Sequence, residues 1–575
     1  MPTYQFSLED FNRLIPGKPV TLDEIKEEFP YFGVPFEGIS DEGNVSIEVF
    51  ANRPDNLSVE GLARSYAGFS ERKLGLPEYK VEETEPFNVF ISENMKKYRP
   101  YLAMAKVTGL QLDEETVKAI FTFQEKLHIT HCRNRRKTSI GLYDINAGKL
   151  EAPISLRMAK MDELRFIPLE EEEEMTIGEM FERSPKGREY AYLVPKDQAP
   201  VLIDKKNQIL SVVPILNGNN SRLTKDTKNI FVDCTGTDWD TMISAFNMIL
   251  TSLAERGGKI HPAILHYEYE TPRGTIVKLP NFTPKKYLLD PNFVVKKLGR
   301  DISVAEQIKN LEKMRLGAKL KSKGKGNKII EVSVPAYRTD ILHQIDFVEE
   351  IAIAYNYKNF TPTIPKVVTT GKESPWQILK RKMAYLYTGV GAYECMTYML
   401  TSEDKEFVKM GLSIPQKDIV KISNPITTLT TICRHWLTPS LIETLKRNKK
   451  FPYPQKFFEM GKVTYIDKSS ETGTEDVWKF CFVESSNEVN LNNGKSALAT
   501  MEFNLGFRFE LKPTRKPYLI QGRSADIYFD KENIGYIGEI HPQILNNWAL
   551  DLPVVSFEIN MNKIMIFIKK TIGDI

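Results

Sequence analysis

Cysteine is scarce and widely spaced in this chain of 575 residues. The chain has five cysteines and no C-x-x-C pair: Cys132, Cys234, Cys395, Cys433 and Cys481. An odd number at such spacing argues against a disulfide framework and against a zinc site built from thiolates, and it favours a reducing compartment. The segment His128–Cys132 is the one local cluster of metal-ligating residue types. It lacks a distant second ligand pair, so a helix end with polar side chains is the preferred interpretation.

Long apolar runs and an excess of one charge are also missing. No run approaches the ~18–20 residues of a membrane span, and the N-terminus lacks the basic-then-apolar layout of a secretory signal. We therefore expect a cytoplasmic protein. The formal net charge is only +3, which neither requires nor excludes a nucleic-acid partner. Any attraction for phosphates has to come from local patches.

The length exceeds what one hydrophobic core usually supports, so several domains are expected. Helix-like and strand-like patterns alternate along the chain, and no repeat of fixed period is visible. These patterns predict an α+β, multidomain fold with parts at 1–90, 91–265, 266–362 and 363–575. The first is an α+β module, the second mixes strands and helices, the third is a small helix–strand module, and the fourth is a larger unit of helices and strands.

The segment from Val334 to Ile351 ends a strand, turns, and starts a helix that is rich in acids. Apolar residues recur there at helical spacing and predict one buried stripe: Ile341, Ile345, Val348, Ala352 and Tyr355. Asp346, Glu349 and Glu350 share another face, and Asp340 is placed to cap the helix. Like charges this close repel unless a cation neutralises them, which indicates a site for a hard, oxygen-seeking ion. From these residues alone, a cap and a solvated face remain the favoured alternative.

Two basic clusters stand out against the balanced charge. Arg133, Arg135, Arg136 and Lys137 form the denser one, and the segment Lys319–Lys328 carries five lysines. Either cluster could attract the phosphates of a nucleic acid. The alternatives are a solvated loop or, for the first cluster, ion pairs with acidic side chains.

Several segments, in order along the chain, resemble those of one protein family. Residues 52–61 resemble the pattern N-R-P-D-x-L-S-x-E-G, and the acid-rich segment from Tyr337 to Glu350 resembles Y-R-x-D-I-x-x-x-x-D-x-x-E-E. Further matching segments are 133–144, 231–237, 454–461, 522–525 and 535–542. Together they resemble the beta subunit of phenylalanyl-tRNA synthetase, in its archaeal and eukaryotic cytosolic form, over essentially the whole length.

The resemblance implies an alpha2-beta2 tetramer that attaches phenylalanine to its tRNA using ATP. The alpha subunit carries the synthetic active site and binds most of the ATP and phenylalanine, whereas the beta subunit supports it, contacts tRNA and edits errors. The part at 363–575 resembles the antiparallel sheet of a class II synthetase but lacks its ATP signatures. The expected arginine–glutamate strand reads Phe457-Phe458-Glu459, and the G-x-G-x-x-R helix is missing. Without those arginines the developing phosphate charge has little stabilisation, so we expect this domain to be catalytically silent.

The resemblance also implies a magnesium ion near the subunit contact, held by Asp340, Asp346, Glu349 and Glu350. All four acids have the family's spacing in this chain. With the resemblance added, the metal site becomes the favoured interpretation over the solvated face, and the ion would be structural.

The part at 91–265 resembles the family's editing domain, which hydrolyses tyrosine wrongly joined to the phenylalanine tRNA. Leu202, Ser211, Asp233 and Thr235 match positions that line the editing pocket. Asp233 and Thr235 alternate along one strand and so point to the same side, where an acceptor and a hydroxyl could hold a phenol. The alternative is that the pair caps the following helix.

No Ser-His-Asp or Cys-His arrangement is apparent in this part, so hydrolysis is expected to use a positioned water. Cys234 should point into the core. A second hypothesis for the function follows from the same absence: a tRNA-binding or assembly subunit with an inactive editing site.

Overall fold

The fold is α+β, with helices packed on several separate sheets, and it confirms the predicted fold class. A computed structural model describes residues 2–323, 327–415 and 417–572. They form two compact units, 1–364 and 365–575; the division into four parts stays a prediction. All five cysteines are free. Among the described helices, none is both long and apolar enough to cross a membrane.

The chain begins with a three-stranded sheet of order β1-β3-β2 covered by helices. Its elements are β1 (Thr3–Phe6), α1 (Leu8–Leu14), α2 (Leu22–Phe32), β2 (Phe36–Ile39), β3 (Val45–Glu48) and α3 (Val59–Phe69). The N-R-P-D segment, residues 52–55, leads into the turn before α3. Arg53 pairs with Asp55 at 2.9 Å, and Ser58 caps α3 by accepting from the Gly61 amide at 2.9 Å. A Cβ at Gly61 would lie 1.8 Å from the Asp55 carbonyl oxygen, so the turn requires glycine there.

Two sheets with a shared apolar core follow. The elements are β4 (Phe87–Ile91), β5 (Tyr101–Thr108), α4 (Glu114–Ile129), β6 (Thr138–Asp144), α5 (Ile145–Gly148), β7 (Ile154–Lys160), β8 (Arg165–Phe166), β9 (Met175–Thr176), α6 (Ile177–Arg183), α7 (Pro185–Tyr190), β10 (Gln198–Ile203), β11 (Ile209–Val212), β12 (Leu216–Asn217), β13 (Ile230–Gly236), α8 (Trp239–Glu255), β14 (Lys259–His261), β15 (Ala263–Tyr267) and β16 (Ile276–Leu279). One sheet has the order β14-β5-β13-β6 and the other β12-β11-β10-β7-β4-β15-β16. Strand β13 is central in the first, antiparallel to both neighbours, and every one of its residues is buried.

A smaller sheet of order β17-β19-β18 completes the first unit. Its elements are β17 (Lys285–Leu289), α9 (Pro291–Leu298), α10 (Val304–Lys313), β18 (Gly317–Lys323), β19 (Asn327–Val334) and α11 (Gln344–Tyr355). The lysine-rich segment contributes residues to β18 and β19, where Lys321 pairs with Glu331; Lys325 lies outside the described residues. Ile341 and Val348 are buried as predicted. Ile345 is 46% exposed, so that part of the stripe prediction was wrong.

The second unit is built on a seven-stranded sheet of order β20-β23-β24-β28-β27-β26-β25. Its elements are α12 (Pro375–Gly389), β20 (Tyr393–Glu394), β21 (Leu400–Thr401), α13 (Glu403–Glu406), β22 (Ile432–Cys433), α14 (Thr438–Arg447), β23 (Gln455–Ile466), β24 (Thr474–Ser485), α15 (Leu491–Leu505), β25 (Glu510–Pro513), β26 (Leu519–Phe529), β27 (Glu532–Ile540), α16 (Pro542–Asn547), β28 (Val554–Asn560) and α17 (Met561–Ile572). All pairings are antiparallel except β20 with β23. Apolar clusters cover both faces, because successive strand residues point to opposite sides.

Candidate functional site

A cavity of about 370 Å³ lies in the first unit, between α4, the sheet strands β6 and β13, and the β11–β12 hairpin. Two of the four predicted editing residues, Ser211 and Asp233, line it. Its other polar lining residues include Gln124, Glu125, His128, Arg135, Ser139, Tyr143, Asn217 and Arg222.

Asp233 forms the polar centre of this cavity. It is 2% exposed, and its Oδ1 accepts a hydrogen bond from the Tyr143 hydroxyl at 2.6 Å. Ser211 lines the same cavity, and its hydroxyl donates to the Leu216 carbonyl at 3.3 Å. Gly141 stands directly opposite Asp233 on β6. A Cβ at Gly141 would lie 2.1 Å from both Asp233 Oδ1 and Tyr143 Oη, so the absence of a side chain is what lets the pair meet.

Burial raises the pKa of Asp233 to about 7. The hydrogen bond from Tyr143 and the positive charge of Arg99 oppose that shift and do not cancel it. Desolvation disfavours the charged form of a buried carboxyl, whereas donors and cations favour it. Asp233 therefore changes its protonation state close to neutral pH. A strongly displaced pKa in a cavity is a common property of functional groups.

Thr235 and Leu202 lie behind the cavity and not on its surface. Thr235 accepts from Arg99 Nε at 2.9 Å and shares a hydrogen bond with Ser139, which does line the cavity, at 2.8 Å. Leu202 is fully buried and pairs with Ser211 in the register of β10 and β11. Asp238 caps α8, accepting from the Thr241 amide at 2.9 Å, so the helix-cap alternative for Asp233 and Thr235 was wrong.

His128, which the sequence predicted only as part of a polar helix end, lies in the last turn of α4 and lines the cavity. Its Nε2 accepts from the Ile140 amide at 2.9 Å, which places the proton on Nδ1, where it meets Glu125 at 3.3 Å. Burial lowers the pKa of His128 to about 4, so the ring is neutral at pH 7. Both ring nitrogens therefore already have hydrogen-bonding partners within the protein. The imidazole holds the cavity wall in place and has no free nitrogen for a substrate. The spacing of Glu125 and His128 by three residues on one helix was the available signal.

The basic cluster at 133–137 divides between the surface and the cavity wall. Arg133 and Arg136 are exposed, and Lys137 is half-buried, 3.8 Å from Asp238. Arg135 is 9% exposed, and its guanidinium donates to the Ile215 carbonyl at 2.8 Å and to Glu125 at 3.1 Å. The structure therefore does not present these four side chains as one patch.

The acidic segment is organised around an arginine. Arg338 pairs with Asp340 at 2.6 Å and with Glu350 at 2.9 Å, and all three are buried or nearly so. Asp346 accepts from the Leu342 and His343 amides at 2.7 Å each and so closes the start of α11. Asp340 does not cap this helix, because the helix begins four residues later, at Gln344.

Glu349 is the remaining acid of the segment. Burial and the neighbouring charges of Glu350, Asp340 and Asp346 raise its pKa. The four acids thus share one region of negative potential, but Arg338 already supplies the cation for two of them. Across the described residues, no group of three or more Asp, Glu, His or Cys side chains is placed so that it could hold a metal ion. The full four-acid magnesium site is not assembled in this arrangement.

In the second unit, the glutamate at the position of the class II signature strand, Glu459, is bound by other side chains of the same unit. Glu459 is buried and meets Arg434 at 2.8 Å, and Thr397 Oγ1 donates to it at 2.5 Å. Arg434 Nε in turn donates to the Lys462 carbonyl at 2.9 Å. This closed network leaves the carboxylate of Glu459 no free oxygen directed at a ligand.

Three family profiles match consecutive parts of the chain. They are the B3/4 domain over residues 117–250, the tRNA synthetase B5 domain over 287–357, and the phenylalanyl tRNA synthetase beta chain CLM domain over 361–561. The B3/4 match contains the cavity around Asp233, and the B5 match contains the acidic segment.

Whole-length relatives agree with these profiles. The phenylalanine–tRNA ligase beta subunit of Pyrococcus furiosus is 36% identical over 97% of this chain and 99% of its own, and that of Methanocaldococcus jannaschii is 36% identical over 98% and 100%. A solved N-terminal fragment of the phenylalanyl-tRNA synthetase beta subunit from Pyrococcus horikoshii is 34% identical, with a TM-score of 0.57 over 62% of this chain and 99% of that one. The chain belongs to the family of phenylalanine–tRNA ligase beta subunits, components of a class II aminoacyl-tRNA synthetase.

Proposed function

We propose that this chain assembles with an alpha subunit into an alpha2-beta2 phenylalanine–tRNA ligase in the cytoplasm. The alpha subunit binds ATP and phenylalanine and joins the amino acid to the tRNA. The chain itself lacks the arginines that class II chemistry needs, and the internal pairing of Glu459 with Arg434 supports a silent scaffold.

The alpha subunit is proposed to dock on the second unit at the segment 393–400. Tyr393, Met396 and Tyr398 are 72%, 83% and 88% exposed, and helix α12 just before them exposes Tyr385 by 72%. Clustered large apolar side chains facing water usually mark a protein interface. A partner chain that covers them gains about 25 cal/mol for each Å² of apolar surface removed from water.

The second activity we propose is hydrolysis of tyrosine wrongly joined to the tRNA, in the cavity around Asp233. One observation carries this proposal: a fully buried carboxyl with a pKa near 7, in a cavity that also offers apolar walls. A tyrosyl phenol can donate to Asp233, whereas phenylalanine adds no donor to this buried carboxyl beyond the Tyr143 hydroxyl. Sites that bind a hydroxyl in this way reject the analogue that lacks it.

The hydrolytic step is assigned to a bound water. The water oxygen attacks the ester carbonyl carbon, the bond to the ribose oxygen breaks, and a proton passes to that oxygen. A cysteine nucleophile is disfavoured, because burial raises the pKa of Cys132 to about 12 and raises that of Cys234 well above its usual value. The cavity's contribution is to orient the substrate through Asp233, Tyr143 and Ser211.

Deacylation of purified Tyr-tRNA by the assembled enzyme tests this activity. Asp233→Ala should reduce hydrolysis about 5- to 150-fold, the equivalent of about 1–3 kcal/mol for a lost buried hydrogen bond. Asp226→Ala, which removes an exposed aspartate from a loop of the same unit, is the matched control and should leave the rate unchanged. The second hypothesis, a tRNA-binding or assembly subunit with an inactive editing site, requires both variants and the wild type to hydrolyse at the uncatalysed rate.

Magnesium is proposed as a structural ion beside the acidic segment. Its supporting observation is the setting of Glu349: burial, and then the charges of Glu350, Asp340 and Asp346, raise the pKa of this carboxyl despite the positive charge of Arg338. Glu349 and Asp346 are the residues left to hold it, with water completing the oxygen ligands that Mg²⁺ usually keeps. The ion would relieve repulsion where the subunits meet.

A further inference from the structure

A second cavity in the first unit, of about 600 Å³, has no role in the function proposed so far. It lies where the first turn of α8, the β15–β16 hairpin and the segment after β19 come together. Trp239 and Thr241 line it from the helix, and Ala336 and Thr339 line it from that segment. None of its lining residues belongs to the cavity around Asp233.

Three unpaired cations surround this second cavity. Arg273, Lys278 and Lys285 line it and are exposed, and none of them has a carboxylate partner within 4.0 Å among the described residues. The next lysine along the chain, Lys286, differs in this respect, because it pairs with Glu331 at 3.8 Å. Asp240 is the single acid among the described lining residues. The positive potential of the cavity is therefore left for a ligand to neutralise.

The cavity floor adds hydrogen-bonding groups and an aromatic surface. Asn247 is 2% exposed and donates to the Ala336 carbonyl at 3.2 Å, but within the described structure its Oδ1 has no partner. Burial lowers the pKa of His131, which bonds to Ser244 at 2.8 Å, so this histidine adds no charge at pH 7. The half-buried indole of Trp239 forms part of the wall.

The cations continue from this cavity toward the editing cavity. Lys137 Nζ lies 3.5 Å from Thr241 Oγ1, which lines the basic cavity. Arg133 and Arg136 are exposed on the same loop as Lys137. On that loop, Arg135 turns inward and forms part of the wall around Asp233. One loop therefore contributes Lys137 beside the basic cavity and Arg135 to the wall of the cavity around Asp233.

We propose that the basic cavity lined by Arg273, Lys278 and Lys285 binds the ribose–phosphate backbone of the tRNA whose aminoacylated end enters the editing cavity. This inference rests on the proposed function, which it deepens by locating a tRNA contact. Cations suit the phosphates, and the spare acceptor of Asn247 suits a donor, which the ribose 2′-hydroxyl provides and a phosphate does not. A protein surface such as the alpha subunit would be expected to bring acids to these cations, and that alternative is an outcome of the test.

The experiment uses the assembled enzyme and measures tRNA binding at several salt concentrations. The test variant is Arg273→Gln, Lys278→Gln and Lys285→Gln together. The control is Lys160→Gln, Lys205→Gln and Lys259→Gln, which removes three exposed cations elsewhere in the same unit that have no carboxylate within 4.0 Å in the described part of the chain. Each phosphate contact contributes about 0.7–0.9 to the slope of log K against log salt. The test variant should bind about ten-fold or more weakly at low salt, with a slope smaller by about two to three, while the control keeps the wild-type slope.

Two results would overturn the proposal. One is a test variant with the affinity and slope of the control. The other is a test variant that loses the alpha subunit while tRNA binding per assembled complex is unchanged, which would assign the cavity to the subunit contact. Binding of uncharged tRNA needs no hydrolysis, so this measurement still decides the point if the editing proposal fails. If editing holds, the test variant should raise KM for Tyr-tRNA and leave kcat unchanged, since Asp233 is untouched.

Discussion

Replacing Tyr143 by Phe removes a single hydroxyl from the candidate editing cavity and should raise the pKa of Asp233. The hydroxyl donates to the buried carboxylate at 2.6 Å and is the largest influence that opposes the rise of the Asp233 pKa. Hydrogen bonds to charged groups are worth about 1.5–3 kcal/mol, and one pH unit corresponds to about 1.36 kcal/mol. Loss of the bond should therefore raise the pKa of Asp233 from about 7 to about 8–9.

The ionised carboxylate is the stronger acceptor for a phenol. At pH 7 about half of the wild-type enzyme has Asp233 ionised, against about 1–10% of the variant. The value of kcat/KM for Tyr-tRNA hydrolysis should rise with pH through about 7 in the wild type. In Tyr143→Phe the rise should move to about pH 8–9, with a loss of about 5- to 50-fold at pH 7 and recovery above it.

The assay is release of labelled tyrosine from Tyr-tRNA between pH 6 and 9, with the uncatalysed hydrolysis subtracted at each pH. Asp233→Asn cannot ionise and supplies the control, whose profile should be flat. A Tyr143→Phe profile with the wild-type midpoint, or an equal loss of activity at every pH, would show that the protonation of Asp233 does not govern the reaction.

The remaining predictions concern the proposed ion and the alpha subunit. Mg²⁺ at about 100 times its Kd should stabilise the chain by about 2.7 kcal/mol, measured as a rise in Tm. Glu349→Gln should lose most of that rise and the exposed control Glu306→Gln should not, so equal rises would contradict the site. The pair Met396→Ser and Tyr398→Ser should cut co-purification of the alpha subunit about ten-fold. Phe503→Ser, at another exposed apolar residue of the second unit, should leave it intact, and an equal effect there would argue against docking at 393–400.

Local sequence patterns bear on residues that lie close together along one strand or one segment. The alternation of Asp233 and Thr235 along β13 puts both on one face of the strand, but only Asp233 lines the cavity. The charges of Asp340, Asp346 and Glu350 all act on Glu349, although Asp340 lies before the helix and outside its spacing. Ile345 fell outside the predicted stripe because α11 begins at Gln344, which leaves this residue in the exposed first turn.

Pairing between strands that are far apart in the sequence places the cavity residues that local sequence patterns did not predict. Gly141 and Tyr143 are about ninety positions from Asp233, and only the antiparallel register of β6 with β13 sets them beside it. Arg135 lies in a run of left-handed backbone, with φ of 61°, and reaches the cavity wall, where it donates to the Ile215 carbonyl.

The sequence by itself determined the family, the α+β class and the identity of the acid at the centre of the candidate editing cavity, because motifs and periodicity are properties of neighbouring residues. The tertiary structure alone decided the chemistry of those residues. Burial moved the pKa of Asp233 to about 7, and Arg338 took two of the four acids assigned to magnesium. Desolvation and charge pairing depend on what surrounds a group in space, and that information is spread over the whole chain.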